Sequence, residues 1–307
     1  MIGHGLTVLL AFLAAVFLAV GIVVRQRATL DVPVEDGVST VMFRTLLRRP
    51  LWWAGTAAAI AGFVFQALAL ANGSLLLVQP ILVSALLFAL PLSARLAHRR
   101  VSRGEWMWAV LLTAALAVFV ILAKASPGDY EASLTTSAVV AVACSAAVLT
   151  CVIVGTRFAG WVRAVSLAVA VGVIFGVVAV LTKLVMHLLT HEGVGAVLTT
   201  PVLYLLALLG VVAMLLQQSA FHAGSLQTSV PTMLVLEPVI AVVLGSVVLG
   251  EHLDVSRWDL VAIVVSTIAM AAGTVALGRG EGAYEEALEA ANRRAEAAEN
   301  QAASESA

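Results

Sequence analysis

The sequence predicts an all-α integral membrane protein with about nine transmembrane helices arranged as two inverted repeats. Three observations lead to this fold class. Of the 307 residues, 62% are hydrophobic and only 11% are charged, whereas a soluble domain carries about 25% charged residues. The apolar residues form long runs, and one short phrase occurs twice. The bilayer is therefore the expected solvent, and a net charge of −1 provides no basic surface for nucleic acid.

Nine runs of the sequence are long enough to cross a membrane, for which a helix requires about 20 mostly apolar residues. They are Gly5–Val24, Leu51–Ala71, Ser74–Ala94, Trp106–Ala123, Leu134–Val154, Ala164–Leu184, Val197–Gln217, Thr228–Gly250 and Leu260–Leu277. The first run has no basic residues before it and is longer than the apolar core of a signal peptide. We interpret it as an uncleaved first span.

The distribution of basic residues predicts the orientation of the chain. With the N-terminus outside, 14 of the 17 Lys and Arg residues fall on the cytoplasmic side, as the positive-inside rule expects. Only Lys124, Lys183 and Arg257 fall on the outer side. This asymmetry favours nine spans in the cytoplasmic membrane, with a cytoplasmic C-terminal tail. Lys183 is expected at the outer end of its span, with its ammonium group reaching the lipid headgroups.

These spans divide the chain into six segments. Residues 1–24 form the first span, 25–50 a cytoplasmic basic loop, 51–123 a first three-span repeat, 124–200 central spans and loops, 201–277 a second three-span repeat, and 278–307 a polar cytoplasmic tail.

The two repeats are recognised by matched sequence. "GSLLLVQP" ends at Pro80 and "GSLQTSVP" ends at Pro231, with the two phrases 151 positions apart. Gln66 and Gln217 each precede their phrase by seven residues, and the tripeptide Val-Ser-Arg recurs at 101–103 and 255–257. The copies begin at the second and seventh spans, so an odd number of spans separates them and they have opposite orientations. Inverted repeats are typical of secondary transporters.

Glu237 is the only carboxylate deep within a predicted span, in the segment "LVLEPVIAVVLG". A charge at that depth costs several kcal/mol, so an ionisable group there indicates a functional site by default. Its position suggests that it binds a proton or a cation. The alternative is a structural role, in which the carboxyl group bonds the backbone groups that Pro238 leaves free.

Prolines and glutamines complete the candidate site. Pro80, Pro231 and Pro238 are candidate helix breaks that would permit gating, since interrupted helices at matched positions often mark a transport site. Gln66, Gln79 and Gln217 either line a polar path or hold helices together by hydrogen bonds.

Motifs for covalent or metal chemistry are lacking: there is no HExxH, GxSxG, CxxC or P-loop sequence. We therefore expect neither an enzyme nor a cofactor, and the sequence identifies no metal ligands.

Several stretches resemble the drug/metabolite transporter superfamily. "LVLEPVIAVVLGSVVLGEHLD" (Leu234–Asp254) and "GVIFGVVAVLTK" (Gly172–Lys183) are similar to segments of EamA-like members. "RQRA", "LWWAG" and "ANGSLLLVQP" in the first half are similar to NIPA-like magnesium transporters. The resemblance implies an inverted-repeat fold around a central cavity that opens alternately to the two sides, and it leaves the substrate open.

The expected function is that of a multi-pass secondary transporter, which moves a small solute or cation by alternating access. One alternative is a NIPA-like transporter of magnesium or another divalent cation. An alternative of a different class is a membrane scaffold or subunit that transports nothing. The expected partners are the substrate and the lipid bilayer, with a homo-oligomer left open and nucleic acid excluded.

Overall fold

Residues 2–30, 49–96, 101–123, 125–126, 128, 134–158, 161–222 and 226–305 are described by the structure, a computed structural model of the chain. Almost all of these residues are helical. The helices are α1 (Ile2–Leu30), α2 (Pro50–Asn72), α3 (Leu75–Leu82), α4 (Ala85–Leu96), α5 (Arg103–Leu122), α6 (Leu134–Arg157), α7 (Trp161–His191), α8 (Val194–Thr199), α9 (Pro201–His222), α10 (Leu226–Val248) and α11 (Arg257–Glu305).

Within the described residues, seven helical segments are long and apolar enough to cross a membrane. They are His4–Val24, Pro50–Asn72, Leu75–Leu96, Arg103–Leu122, Thr135–Arg157, Val162–His191 and Arg257–Arg279. Two shorter apolar stretches, Pro201–Gln217 and Thr232–Val248, belong to α9 and α10. The structure therefore confirms a helical protein of the multi-pass membrane type. Each of the nine predicted spans overlaps a helix, while the count of nine stays a prediction.

Two short strands are the only departure from helix and loop in the described part of the chain. β1 (Ala125–Ser126) pairs antiparallel with β2 (His252–Leu253), so that Ala125 lies opposite Leu253. The pairing joins the segment that follows α5 to the segment that follows α10. It fixes these two loops against each other at one end of the bundle.

Helix α3 occupies the centre of the bundle, where every side chain from Leu75 to Ile81 is buried. Helix α3 packs against α10, and α5 packs extensively against α11. On either side of this centre, α1 packs on α2, and α7 packs on both α9 and α10. The apolar faces of these helices meet in one core, which includes Leu112 of α5 and Leu244 of α10.

The prolines of the two matched phrases have different local structures. Pro80 lies in α3, which ends at Leu82, and a turn at Val83 and Ser84 leads into α4. The turn is tightened by bonds to carbonyl groups three residues earlier, including Ser84 N to Ile81 O at 2.9 Å. Pro231 and Pro238 both lie inside α10, which is continuous from Leu226 to Val248. The structure thus contains a helix break shortly after Pro80, and none at Pro231 or Pro238. A membrane helix tolerates a proline when neighbouring groups satisfy the freed carbonyl.

Two helix starts repeat the same cap. Ser102 Oγ accepts a hydrogen bond from Glu105 N at 3.1 Å, and Glu105 Oε2 accepts one from Ser102 N at 2.6 Å. At the start of α11, Ser256 Oγ accepts a bond from Asp259 N at 3.3 Å and donates to Asp259 Oδ2 at 2.8 Å. Both serines belong to the recurring Val-Ser-Arg tripeptide. The sequence repeat therefore extends to a repeat in how the helices begin.

Replacing either cap serine should destabilise the protein modestly. We expect Ser102→Ala and Ser256→Ala each to lower the free energy of unfolding by about 1 kcal/mol, since an N-cap side chain satisfies an otherwise unpaired backbone donor. Denaturant unfolding in detergent measures this loss. The matched control is Ser219→Ala, because the exposed Ser219 hydroxyl bonds only Leu215 O of its own helix. A control loss as large as that at the caps would contradict the capping role.

Candidate functional site

The close packing of α7 on α10 positions the segment that carries Glu237. A Cβ atom at Gly172 would lie 2.8 Å from Leu236 Cβ, and one at Gly176 would lie 2.7 Å from Ile240 Cβ. Larger residues at these two positions would separate the helices, so glycine permits the contact. Leu236 and Ile240 bracket Glu237 in sequence, which places Glu237 about a quarter of a turn from the face in contact with α7.

Glu237 is closely surrounded by protein atoms, and only a minority of its residue surface is exposed. Neither a hydrogen bond nor an ion pair links it to any other residue that the structure describes. An ionisable side chain without a protein partner, located in an apolar helix, is a candidate for binding a proton or a cation. The alternative of a structural Glu237 bonded to backbone groups near Pro238 has no hydrogen bond to support it within the described residues.

The three candidate glutamines lie on three different helices. Gln66 of α2 is buried, Gln79 of α3 is 1% exposed, and Gln217 of α9 is partly buried. Among the described residues, no hydrogen bond joins one of them to another or to Glu237, so the structure does not connect them into a single polar path.

Helix α3 and its two flanking turns contain unpaired buried polar atoms. Gln79 Nε2, Ser74 Oγ and Ser84 Oγ are inaccessible and lack a hydrogen-bond partner in the described part of the chain. An unpaired buried polar group costs about 1–3 kcal/mol. Groups of this kind require a partner other than the protein, such as water or a transported solute. They lie on α3 or directly beside it, and α3 packs against the helix of Glu237.

A buried ion pair is the strongest polar contact at the end of the bundle where α3 begins. Lys183 Nζ of α7 lies 2.7 Å from Glu251 Oε1, and both side chains are almost completely inaccessible. Lys183 Nζ also donates to Gly73 O. Glu251 accepts hydrogen bonds from Leu75 N at 3.0 Å and Leu76 N at 3.2 Å. The carboxylate therefore caps the N-terminus of α3, where negative charge is favourable.

The expectation that Lys183 reaches the lipid headgroups is wrong. Lys183 is 2% exposed and its ammonium group points into the protein, because a carboxylate and a backbone carbonyl offer it partners there. Sequence reasoning also missed Glu251, which appeared only within the stretch resembling EamA-like proteins. No sequence signal pairs it with Lys183, since the two residues belong to segments that are distant along the chain.

Close backbone contacts hold Glu251 in place. Gly250 adopts a positive φ of 70°, a conformation that residues with a side chain rarely adopt. Gly128, in the segment after β1, packs directly on the backbone of Leu249 and Glu251, where a Cβ would overlap Leu249 O. The carboxylate thus lies in a tightly packed junction between the ends of α2, α3 and α10.

Metal ligation has no support from the part of the chain that the structure describes. It contains no group of three or more His, Cys, Asp or Glu side chains that could hold a metal ion. His187 and His191 stack with their ring centroids 4.1 Å apart, and His191 Nδ1 lies 2.9 Å from His187 O.

Comparison with known proteins gives one informative relative. The chain is 35% identical over 285 residues to Cgl0250/cg0304, an uncharacterized protein of Corynebacterium glutamicum, and the match covers 89% of this chain and 95% of that protein. No protein-family model matches the chain. No solved structure matches it either.

Proposed function

The chain belongs to the same family as the Corynebacterium glutamicum protein, and because that relative's name states no activity, we propose the function from the site itself. The protein is a secondary transporter that moves a small solute or cation across the cytoplasmic membrane by alternating access. It is not an enzyme and needs no cofactor.

The proposal depends on one observation, the position and surroundings of Glu237. An ionisable side chain in an apolar helix is costly, and such groups mark ion or substrate pathways. The carboxyl group is closely surrounded by protein and has no protein partner in the described residues. A structural carboxyl group would be expected to have such a partner. Glu237 is therefore free to bind a proton or a cation.

Two related halves of opposite orientation support alternating access. The matched phrases, the repeated serine caps, and the packing of α5 on α11 and of α3 on α10 all pair corresponding elements of the two copies. Nine spans would arise if α3 and α4 cross together and α9 and α10 each cross once. An arrangement of this kind allows one central site to open to either side. Pro80 and the turn that follows it supply a hinge in α3.

The ion pair also agrees with the proposed alternation of the spans. Counting spans from an outer N-terminus places the end of α2, the start of α3, the last part of α7 and the loop after α10 on the outer side. In the structure, Gly73, Leu75, Lys183 and Glu251 meet at one end of the bundle. The meeting of these four segments at one end agrees with the proposed alternation of spans, whichever side the N-terminus occupies.

We place the protein among drug/metabolite transporters of the EamA-like type, with NIPA-like features in its first half. The magnesium alternative is less well supported, because a divalent ion takes about six or more oxygen ligands and the described residues contain no acidic cluster. A monovalent cation or an organic solute coupled to protons fits a lone carboxyl group better.

Flux measurements on purified protein in liposomes test the proposal. Uptake of labelled Mg²⁺, monovalent cations, amino acids and other small metabolites is measured with and without an imposed pH gradient, against empty liposomes. We expect saturable uptake of one solute class above the empty control. A panel in which no solute moves in either direction, with folded protein in the bilayer, would contradict the proposal, and uptake restricted to Mg²⁺ would favour the magnesium alternative.

A further inference from the structure

The contacts of Lys183 and Glu251 join the two proposed halves of the protein. Gly73, Leu75 and Leu76 belong to the first repeat, Glu251 belongs to the second repeat, and Lys183 lies in the central segment between them. Glu251 lies 176 residues from Leu75 in sequence, so the contact depends entirely on how the halves meet. Separating the halves at this end would break the three hydrogen bonds to Gly73, Leu75 and Leu76 together.

Each charge is matched to backbone groups of the first repeat. The carboxylate of Glu251 lies at the N-terminus of α3, where backbone N–H groups are free, and the ammonium of Lys183 lies at a carbonyl just after α2. Both signs agree with the partial charges of these backbone groups. The two charges therefore suit only their present positions. Exchanging them would place each charge beside backbone groups that carry a partial charge of the same sign.

We infer that Lys183 and Glu251 form a latch that closes the outer end of the transport path in this conformation and separates when the path opens outward. The inference rests on the proposed function, because a latch between halves is needed only in a protein whose halves move. A buried pair is suited to this role, since the desolvation of two charges offsets much of their attraction and hydration recovers that cost on opening. Discrete rearrangement of such interfaces is a common switching mechanism.

Gln79 lies further along α3 than the residues bonded to Glu251, so its accessibility indicates whether the latch is closed or open. It follows Leu76, the last residue bonded to Glu251, by about one helical turn along α3, and it is 1% exposed. In the proposed latch, a reagent that arrives from the outer side passes the Lys183–Glu251 contact to reach this position. Accessibility at residue 79 is therefore a direct measure of whether the outer end is open.

The test is labelling of a cysteine at this position. Cys144 and Cys151 are first replaced by alanine, and Gln79→Cys is then introduced. Spheroplasts, which expose the outer face, and inside-out vesicles, which expose the cytoplasmic face, are treated with a membrane-impermeant maleimide. We expect slow labelling from outside in the parent and a rate at least about tenfold higher when Glu251→Gln is added. A tenfold change corresponds to about 1.4 kcal/mol in the opening equilibrium.

Two further variants supply a matched control and a second test of the latch. Asp254→Asn removes an exposed acid from the same loop and should leave the labelling rate unchanged. The double variant Lys183→Met with Glu251→Gln removes both buried charges, so it avoids an uncompensated charge if the single variant does not fold, and it should also label faster from outside.

Equal outside rates in the parent, the single variant and the double variant would overturn the latch. So would an increase seen only from the cytoplasmic face. Faster outside labelling in a protein that moves no solute of the flux panel would leave the latch standing and reject the transport function instead.

Discussion

Replacing Glu237 by glutamine is expected to reduce transport on the order of 100-fold while the protein still folds. Two opposite charges about 4 Å apart interact by up to about 4 kcal/mol at the effective dielectric of a protein site, and desolvation offsets part of that energy. A net loss of about 3 kcal/mol corresponds to roughly 100-fold weaker binding of a cation or coupling proton. Glutamine preserves the size of the side chain and cannot carry the charge. The measurement is initial uptake of the transported solute into proteoliposomes at several pH values.

Control variants distinguish the effect of losing the negative charge from the effect of misfolding. Glu192→Gln makes the same substitution at an exposed acid just beyond α7 and should transport like the wild type. Glu237→Asp retains the carboxyl group on a shorter side chain and should recover part of the rate. Size-exclusion profiles and thermal unfolding verify that the variants are folded. Wild-type uptake by Glu237→Gln at every pH would remove this residue from the mechanism.

Much of the fold could be predicted from hydrophobicity alone. Long apolar runs bounded by charges or by Gly, Pro and Ser leave few alternatives to a membrane helix, since every backbone group must be paired in lipid. Helix boundaries were less predictable where a helix continues past the end of the predicted apolar run. Helix α7 continues to His191, whereas the predicted apolar run ended at Leu184, because the residues that follow include Val185, Met186, Leu188 and Leu189 and form helix until Gly193 interrupts it.

One predicted span began too early. The run Val197–Gln217 combines the end of α8 with most of α9, and the structure separates these helices at Thr200. Thr200 has an extended backbone with ψ of 138°, as expected for a residue before proline, where the ring of Pro201 disfavours helix. The proline was visible in the sequence, but the span was predicted from hydropathy, which gave the proline no weight.

From the sequence, a site residue could be identified only where its type is unusual for the segment that contains it. Glu237 could be found because it is a lone carboxylate in an apolar run. Lys183 and Glu251 could not be paired from sequence, since neither periodicity nor motif relates residues on different helices. Their pairing follows from how α2, α3, α7 and α10 converge, which is a property of the packed bundle.

Replacing Lys183 by methionine should destabilise the protein by about 3–5 kcal/mol. This change removes one partner of a buried pair and leaves Glu251 charged and buried without its cation, which is far more costly than losing an exposed pair. Glu251 retains only the bonds from Leu75 N and Leu76 N. Denaturant titration of the purified protein in detergent micelles measures the change in the free energy of unfolding. Thr182→Val is the matched control, because the Thr182 hydroxyl bonds only Val178 O within α7, and it should cost less than about 1 kcal/mol.

The double variant Lys183→Met with Glu251→Gln should be more stable than Lys183→Met alone. The amide oxygen of glutamine at position 251 can still accept a hydrogen bond from the start of α3, and neither of the two replaced positions carries a charge. A double-mutant cycle should therefore show a favourable coupling of at least about 1.5 kcal/mol between the two side chains, within the range found for residues in direct contact. Additive losses from the two single variants would mean that the pair contributes no interaction energy, and the carboxylate of Glu251 would then serve only as the cap of α3.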